Sequence, residues 1–328
     1  MRAAGRLSAA AAALASLAIG LVPISSSAQQ RATAPAGAKA TSINLEDVPY
    51  PFPVQHLDLH LYGHDVRMVY MDVQPTAAPN GRTVVLLHGM NWFAEYFGDT
   101  IKRLNAQGFR VIAPDQIGFG RSSKPIMPYH LNDHVANTKA ILDKLGIRKA
   151  AIVGHSMGGM IATRFASAHP EITTHLVLVN QIGLTDSRMD RGWTRIEDSY
   201  ANGLKRDYQA VRRNIERYFV KWDPAYERYV DMMYGWTLSS EWPRLARVRA
   251  LNSQWVYGDP VVYDRPHIKS PTLFLSGAED GRNFRANAKL VVDAIPGAKL
   301  HLIDNVGHCP HMEAPDQFFP PLIAFLEN

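Results

Sequence analysis

A serine with a glycine two residues away on either side, Gly154-His155-Ser156-Met157-Gly158, is the part of this chain best suited to chemistry. A serine hydroxyl is a weak nucleophile at its ordinary pKa and acts only when it is held in place beside a base. Ala150-Ala151-Ile152-Val153 ahead of it is a short apolar run of the kind a buried strand needs, and Gly159 to Ala166 behind it suits a helix. The segment therefore predicts a sharp strand-to-helix turn. Such a turn lifts the serine Oγ clear of the sheet and puts a helix N-terminus behind it, where negative charge is favoured. In a chain with 23 glycines the pentapeptide alone is a weak signal. The flanking strand and helix give it weight.

The base must come from elsewhere in the sequence. His308 follows Asn305-Val306-Gly307, just past an apolar stretch ending at Ile303, and loops at the carboxyl ends of strands are where active sites collect. His155 and His311 are the nearest competitors among 13 histidines. His155 is fixed inside the turn and expected to point away, and His311 lies beyond the loop apex. A third group must orient the imidazole and stabilise its charged form. Asp280, after Leu273-Phe274-Leu275 and Ser276-Gly277-Ala278-Glu279, suits that role; Glu279 and Asp186 are the alternatives. Serine, acid and histidine then occur in the order Ser156, Asp280, His308.

An oxyanion formed at a carbonyl needs backbone N–H donors. Met157, directly after the serine, is expected to supply one. Met90, in His88-Gly89-Met90-Asn91-Trp92, is expected to supply another. Pro114 to Ser122 contains Asp115, Gly118, Gly120 and Arg121 and reads as a braced tight loop rather than a metal or acid site. Cys309, the one cysteine, reads as a small packed residue beside the site. No metal-ligand spacing, no Gly-x-Gly-x-x-Gly after a strand and no phosphate loop occurs, so neither metal nor cofactor is expected.

The elements that must position these residues alternate. Leu57 to Leu61 and Val66 to Met71 have period-two patterns that suggest an opening antiparallel pair. A continuous apolar run follows at Thr83 to Leu87, with further strand signals at Phe109 to Ala113, Ala150 to Val153, Leu176 to Val179, Pro271 to Leu275 and Lys299 to Ile303. Helices are expected over Phe97 to Gln107, Leu131 to Leu145 and Asp316 to Leu326. This pattern implies an α/β fold, a mostly parallel doubly wound sheet covered on both faces. The alternation stops between residues 183 and 268. There the chain is helical, polar and aromatic, with Trp193, Trp222, Trp236, Trp242 and Trp255, and reads as a helical cap inserted into the core formed by 51–182 and 269–328. Most of its aromatics are expected to be cap core and a few to line a pocket.

The N-terminus reads as a targeting segment. Arg2 and Arg6 precede an apolar alanine-rich run, Leu7 to Val22, which Pro23 breaks, and Ser26-Ser27-Ala28 offers small residues for cleavage. The run is short for a membrane span, so residues 1–28 are expected to be a signal peptide and the mature protein to be exported, periplasmic or secreted, without a stable anchor. Residues 29–50 read as a flexible leader. Of the 328 residues, 46% are hydrophobic and 20% charged, ordinary for a globular protein. The formal charge is +5 with the basic residues scattered, so nucleic acid is not an expected partner.

Taken together, His88-Gly89, Asp115 to Ser122, Gly154 to Gly159, Gly277 to Asp280 and Gly307-His308 with Glu313-Ala314-Pro315 resemble the α/β-hydrolase superfamily, in its branch with a helical cap. The resemblance runs from about Leu57 to the C-terminus. Epoxide hydrolases and haloalkane dehalogenases of that branch use aspartate as nucleophile, and this chain has Ser156 instead. Carbon–carbon bond hydrolases of the branch use serine but usually carry tryptophan after the catalytic histidine, where this chain has Cys309. Cofactor-free perhydrolases share the Ser156 to Gly159 run but usually lack so large a cap. The resemblance and the residues together imply an exported serine hydrolase for a small or medium carboxylic ester or lactone. A carbon–carbon hydrolase or perhydrolase on the same residues is the alternative, and a non-catalytic ligand-binding member of the fold a remote one.

Overall fold

The computed structural model describes residues 34–328. The expected signal peptide and the first residues of the leader lie outside the described residues. In chain order the elements are strands β1 (Val54–Leu61), β2 (His64–Val73) and β3 (Thr83–Leu87), helix α1 (Gly98–Asn105), β4 (Arg110–Pro114), α2 (Leu131–Lys144), β5 (Ala150–His155), α3 (Met157–Ala168) and β6 (Thr173–Val179). Five consecutive helices follow: α4 (Ser187–Asp190), α5 (Ile196–Leu204), α6 (Tyr208–Glu216), α7 (Glu227–Leu238) and α8 (Trp242–Gly258). The chain then returns through β7 (Thr272–Gly277), α9 (Phe284–Ala294), β8 (Lys299–Ile303), α10 (Pro310–Glu313) and α11 (Pro315–Glu327).

The eight strands form one sheet in the order β1-β2-β4-β3-β5-β6-β7-β8. β1 and β2 are antiparallel, β2 joins β4 antiparallel, and every pairing from β4 to β8 is parallel. This is the mostly parallel α/β sheet that the apolar runs imply. Its central strands are buried on both faces because successive side chains feed two different cores. Val84, Leu86 and Val153 pack into one with α11's Phe318. Val85, Leu87 and Ile152 pack into the other with Ile161 and Phe165 of α3. β8 lies at the sheet edge, and Lys299, Leu300 and His301 are exposed there.

α4 to α8 interrupt the sheet between β6 and β7 and carry no strand. Their apolar faces close on one another and on the sheet's edge loops: Tyr208, Val211, Ile215, Tyr229, Val230, Trp236 and Trp242 are buried in one cluster with Phe93 and Phe97. Each such large side chain contributes on the order of 2 kcal/mol by burial. Trp193 is the exception and is well exposed.

The leader read as flexible up to residue 50 is packed from Thr41 onward. Ile43 and Leu45 are buried in the core. Thr41 N–H donates to the Gly235 carbonyl, and Trp236 Nε1 donates to the Ser42 carbonyl. Arg121 reaches the carbonyls of Leu45 and Val48 and covers the Tyr50 ring at 4.4 Å. An Ala/Thr/Gly/Pro composition masked the two apolar anchors. No helix among the described residues is long and apolar enough to cross a membrane.

Candidate active site

Ser156 sits between β5 and α3 with φ 55° and ψ −118°, a strained conformation for a non-glycine residue. Gly158 explains how the turn packs: a Cβ there would lie 2.1 Å from the Leu87 carbonyl oxygen, so α3 starts in contact with the end of β3. The Ser156 amide donates to the Val179 carbonyl on β6, which pins the turn. Its hydroxyl makes no hydrogen bond among the described residues and lines a cavity of about 840 Å³ beneath the cap. Asp280 and His308 line the same cavity.

His308 Nδ1 donates to Asp280 Oδ2 at 2.7 Å, and the pair is largely buried. The loops that carry them are stitched together by Ala278 N–H to the Ile303 carbonyl and Glu279 N–H to the Val306 carbonyl. Of the two alternative acids, Glu279 is bound to Arg285 at 2.8 Å and Asp186 to Arg188 and Tyr263. Neither contacts His308. The structure thus brings Ser156, Asp280 and His308 together, with Asp280 on the histidine. Direct contact between the serine and the imidazole is the part such sites often complete only with substrate bound.

His155 and His311 take other places. His155 Nε2 donates to the backbone carbonyl of His308 at 2.8 Å, and Tyr96 O–H donates to His155 Nδ1 at 2.8 Å. His155 therefore points away from the cavity, as the turn geometry implies, and props the loop that carries His308. Burial, with the nearby His308 charge second, pushes its pKa well down and keeps it neutral. His311 is packed among Tyr96, Phe97 and Phe318, and burial followed by the His308 charge pushes it down to about 3. Cys309 is fully buried, and burial raises its thiol well above the ordinary value, so it is an inert packing residue.

The two expected oxyanion donors flank the serine. Met157 is the first residue of α3, and its amide donates to no group among the described residues. Met90 lines the cavity beside Ser156, and its amide likewise has no acceptor among the described residues. The preceding Gly89 lets the strand-exit loop approach closely, since a Cβ there would stand 3.0 Å from Ser156 Cβ. His88 braces that loop: Nδ1 donates to the Gly89 carbonyl, and Nε2 accepts from Gln116 N–H. Asp115 is fully buried and structural, accepting from Tyr50 O–H, Ala94 N–H and Arg121 N–H. Arg121 contributes to that brace through its backbone, while its side chain holds the leader.

Four positioning residues escaped the sequence reading. Asn180, at the end of β6 with φ 41°, is fully buried; Nδ2 donates to Asp280 Oδ2 at 3.0 Å, and Oδ1 accepts from Gly277 N–H at 2.9 Å. It fixes the acid. Tyr218, between α6 and α7, stacks on the His308 ring with centroids 4.7 Å apart, and its carbonyl accepts from His308 N–H at 2.7 Å. Asn91 Nδ2 donates to the Tyr218 hydroxyl at 2.6 Å. Glu313 accepts from Gly307 N–H and from Val220 and Lys221 N–H, clamping the histidine loop to the cap. Asn91 and Glu313 stood in segments already singled out, but for other reasons. No group of three or more His, Cys, Asp or Glu among the described residues has metal-site geometry.

Comparison with known proteins places this geometry in a wider set. The family described as alpha/beta hydrolase fold matches residues 82–315. A probable hydrolytic enzyme from Pseudomonas aeruginosa, solved as a crystal structure, is 35% identical, covers 89% of this chain and 99% of its own, and superposes with a TM-score of 0.84. A 2-hydroxymuconate semialdehyde hydrolase from a Pseudomonas species is 27% identical over 223 residues, 65% of this chain and 75% of that one. A haloalkane dehalogenase from Mycobacterium marinum is 35% identical over 136 residues, 40% of this chain and 45% of the dehalogenase.

Proposed function

The chain belongs to the alpha/beta hydrolase fold family, and from that premise we propose that it is an exported serine hydrolase cleaving a small or medium carboxylic ester or lactone. Ser156 attacks the acyl carbon while His308 takes its proton. The N–H groups of Met157 and Met90 hold the oxyanion. His308 then protonates the leaving alcohol, and water, activated by the same imidazole, releases the acid from the acyl-enzyme. Asp280 keeps His308 oriented and stabilises its cationic form throughout. The cap limits substrate size and excludes bulk water. Export is supported by the sequence pattern of residues 1–28.

One observation carries this reading: an unpartnered serine hydroxyl on a positive-φ turn shares a cavity with a histidine already bonded to a buried carboxylate at 2.7 Å. The likeness to a haloalkane dehalogenase does not transfer that activity, because the nucleophile position holds Ser156. Likeness to a 2-hydroxymuconate semialdehyde hydrolase supports carbon–carbon bond hydrolysis as the second reading; perhydrolysis on the same residues rests on the Ser156 to Gly159 run alone. The test is hydrolysis of p-nitrophenyl esters from acetate to palmitate by wild type beside Ser156→Ala. Serine-dependent turnover with a chain-length optimum is the expected result. Equal turnover by the variant overturns the mechanism.

A further inference from the structure

The cavity above Ser156 is lined by four arginines, all supplied by the cap: Arg191, Arg206, Arg217 and Arg249. None forms an ion pair among the described residues. The two acids on the same wall are already engaged, Glu279 by Arg285 and Asp280 by His308. Arg191 and Arg217 face the rings of Tyr257 and Tyr218, but the cavity holds a surplus of positive charge with no acidic partner among the described residues.

Arg249 is the best placed of the four. It projects from α8 between the buried Val248 and Ala250 and is only partly exposed. Of its five N–H donors, one is used among the described residues, donating to Asn91 Oδ1 at 2.5 Å. Asn91 directly follows Met90, so the guanidinium stands beside the loop that carries the oxyanion donor. A second cavity of about 290 Å³ between α5 and α8 shares Met90, Arg206, Arg249 and Ser253 with the first. The Arg206–Arg249 pair thus sits where the side pocket opens into the reaction cavity. Burial, with the charge of Arg206 second, pushes Arg249 down to about 9. An anion held by Arg249 offsets both its burial and the charge of Arg206, and a planar guanidinium fork matches a carboxylate or phosphate in two bonds at once.

We propose that the substrate carries an anionic oxygen group, a carboxylate or a phosphate, away from the scissile bond, and that Arg249 and Arg206 bind it at the mouth of the side pocket. This rests on the reading of Ser156 as the reacting residue. The uncleaved part of the substrate would occupy the reaction cavity with its acyl carbon at Ser156 and its charged end among the arginines. In that arrangement Arg249 is a specificity residue. The competing role, a purely structural tie from the cap to Asn91, would lower turnover of charged and neutral substrates alike.

Binding is measured by calorimetry in Ser156→Ala, where no turnover intervenes, with monomethyl adipate against dimethyl adipate and with butyl phosphate as the phosphate arm. At least one of the two anionic probes is expected to bind about tenfold or more tightly than the neutral diester, the scale of a charge-assisted hydrogen bond; which of the two is tighter names the group. Arg206→Gln, on an exposed residue, is expected to reduce that ratio, and Arg249→Met to abolish it. Equal binding of charged and neutral probes, a ratio untouched by either substitution, or no binding of either anion overturns the proposal. Wild-type hydrolysis of mono-p-nitrophenyl adipate beside its methyl ester separates the two claims. Serine-dependent turnover without charge preference refutes the anion site alone, whereas anion binding in a protein with no esterase activity refutes the ester reading alone.

Discussion

Asn180→Asp is the sharpest probe of how the acid is held. The substitution keeps size, shape and tolerance of the left-handed backbone at φ 41°, and leaves an oxygen to accept from Gly277 N–H. What changes is the atom 3.0 Å from Asp280 Oδ2, from an amide donor to a carboxylate oxygen. At an effective dielectric of about 20, two unit charges about 3 Å apart repel by about 5 kcal/mol, equivalent to about four pKa units. The pair therefore retains one shared proton up to about pH 8, and that ionisation belongs to the pair rather than to either residue. Unfolded, both carboxyls ionise near pH 3.9. Between about pH 4 and 8 the folded variant thus binds a proton that the unfolded chain does not. A folded pKa raised in this way makes stability fall as pH rises, by about 1.4 kcal/mol per unit relative to wild type. The expected deficit is about 1.4 kcal/mol at pH 5 and about 4 kcal/mol at pH 7. Urea unfolding of both proteins at pH 5, 6 and 7 measures it, referencing each point to wild type cancels the titrations remote from the pair, and a parallel His308→Gln background removes that of the imidazole bonded to Asp280. A deficit that is the same at all three pH values would refute the assignment of Asn180 as the donor that holds the charged Asp280.

Three further outcomes follow from the packing. His311, pushed down to about 3, stays neutral when folded but takes up a proton near pH 6.5 when unfolded, so the stability it confers is lost as pH falls through that window. His311→Phe should recover about 1.4 kcal/mol of the loss between pH 7.5 and 5.5, and a wild-type slope retained in the variant contradicts this. Cys309 is fully buried, so iodoacetamide at neutral pH should leave the folded enzyme unmodified and active; stoichiometric alkylation with loss of activity would show otherwise. Gly158→Ala would force a Cβ to 2.1 Å from the Leu87 carbonyl oxygen and should cost more than about 3 kcal/mol, read as a large drop in Tm; an unchanged Tm would mean that α3 does not abut β3 as described.

The parts of the site that are legible in the sequence are those written in local order. Ser156 announces itself through a strand, two glycines and a helix in one continuous segment. Asp280 and His308 each stand a few residues past a strand, where a parallel sheet collects its loops. What the sequence hid is assembled from distant segments. Asn180 reads as an ordinary polar residue after β6 until the fold sets it 3.0 Å from Asp280, a hundred residues later. Tyr218 is one cap tyrosine among several until α6 and α7 lay it on His308. Arg249 looks like one of several basic residues on α8, because nothing local distinguishes it from Arg244 and Arg247, which the fold pairs with Glu241 and Glu197. The leader's anchors, Ile43 and Leu45, are two apolar residues in a stretch whose composition signals a linker, and only the hydrogen bonds to Gly235 and from Arg121 show where it docks.

The central claim is that Ser156 is a nucleophile activated by His308. The most direct test is the site and rate of labelling by a fluorophosphonate, followed by peptide mapping. The account predicts one adduct, on the peptide that contains Ser156, formed about a hundredfold or more slowly in His308→Ala, the scale of a lost general base. An adduct elsewhere, no adduct in the folded wild type, or an equal labelling rate without His308 would contradict it.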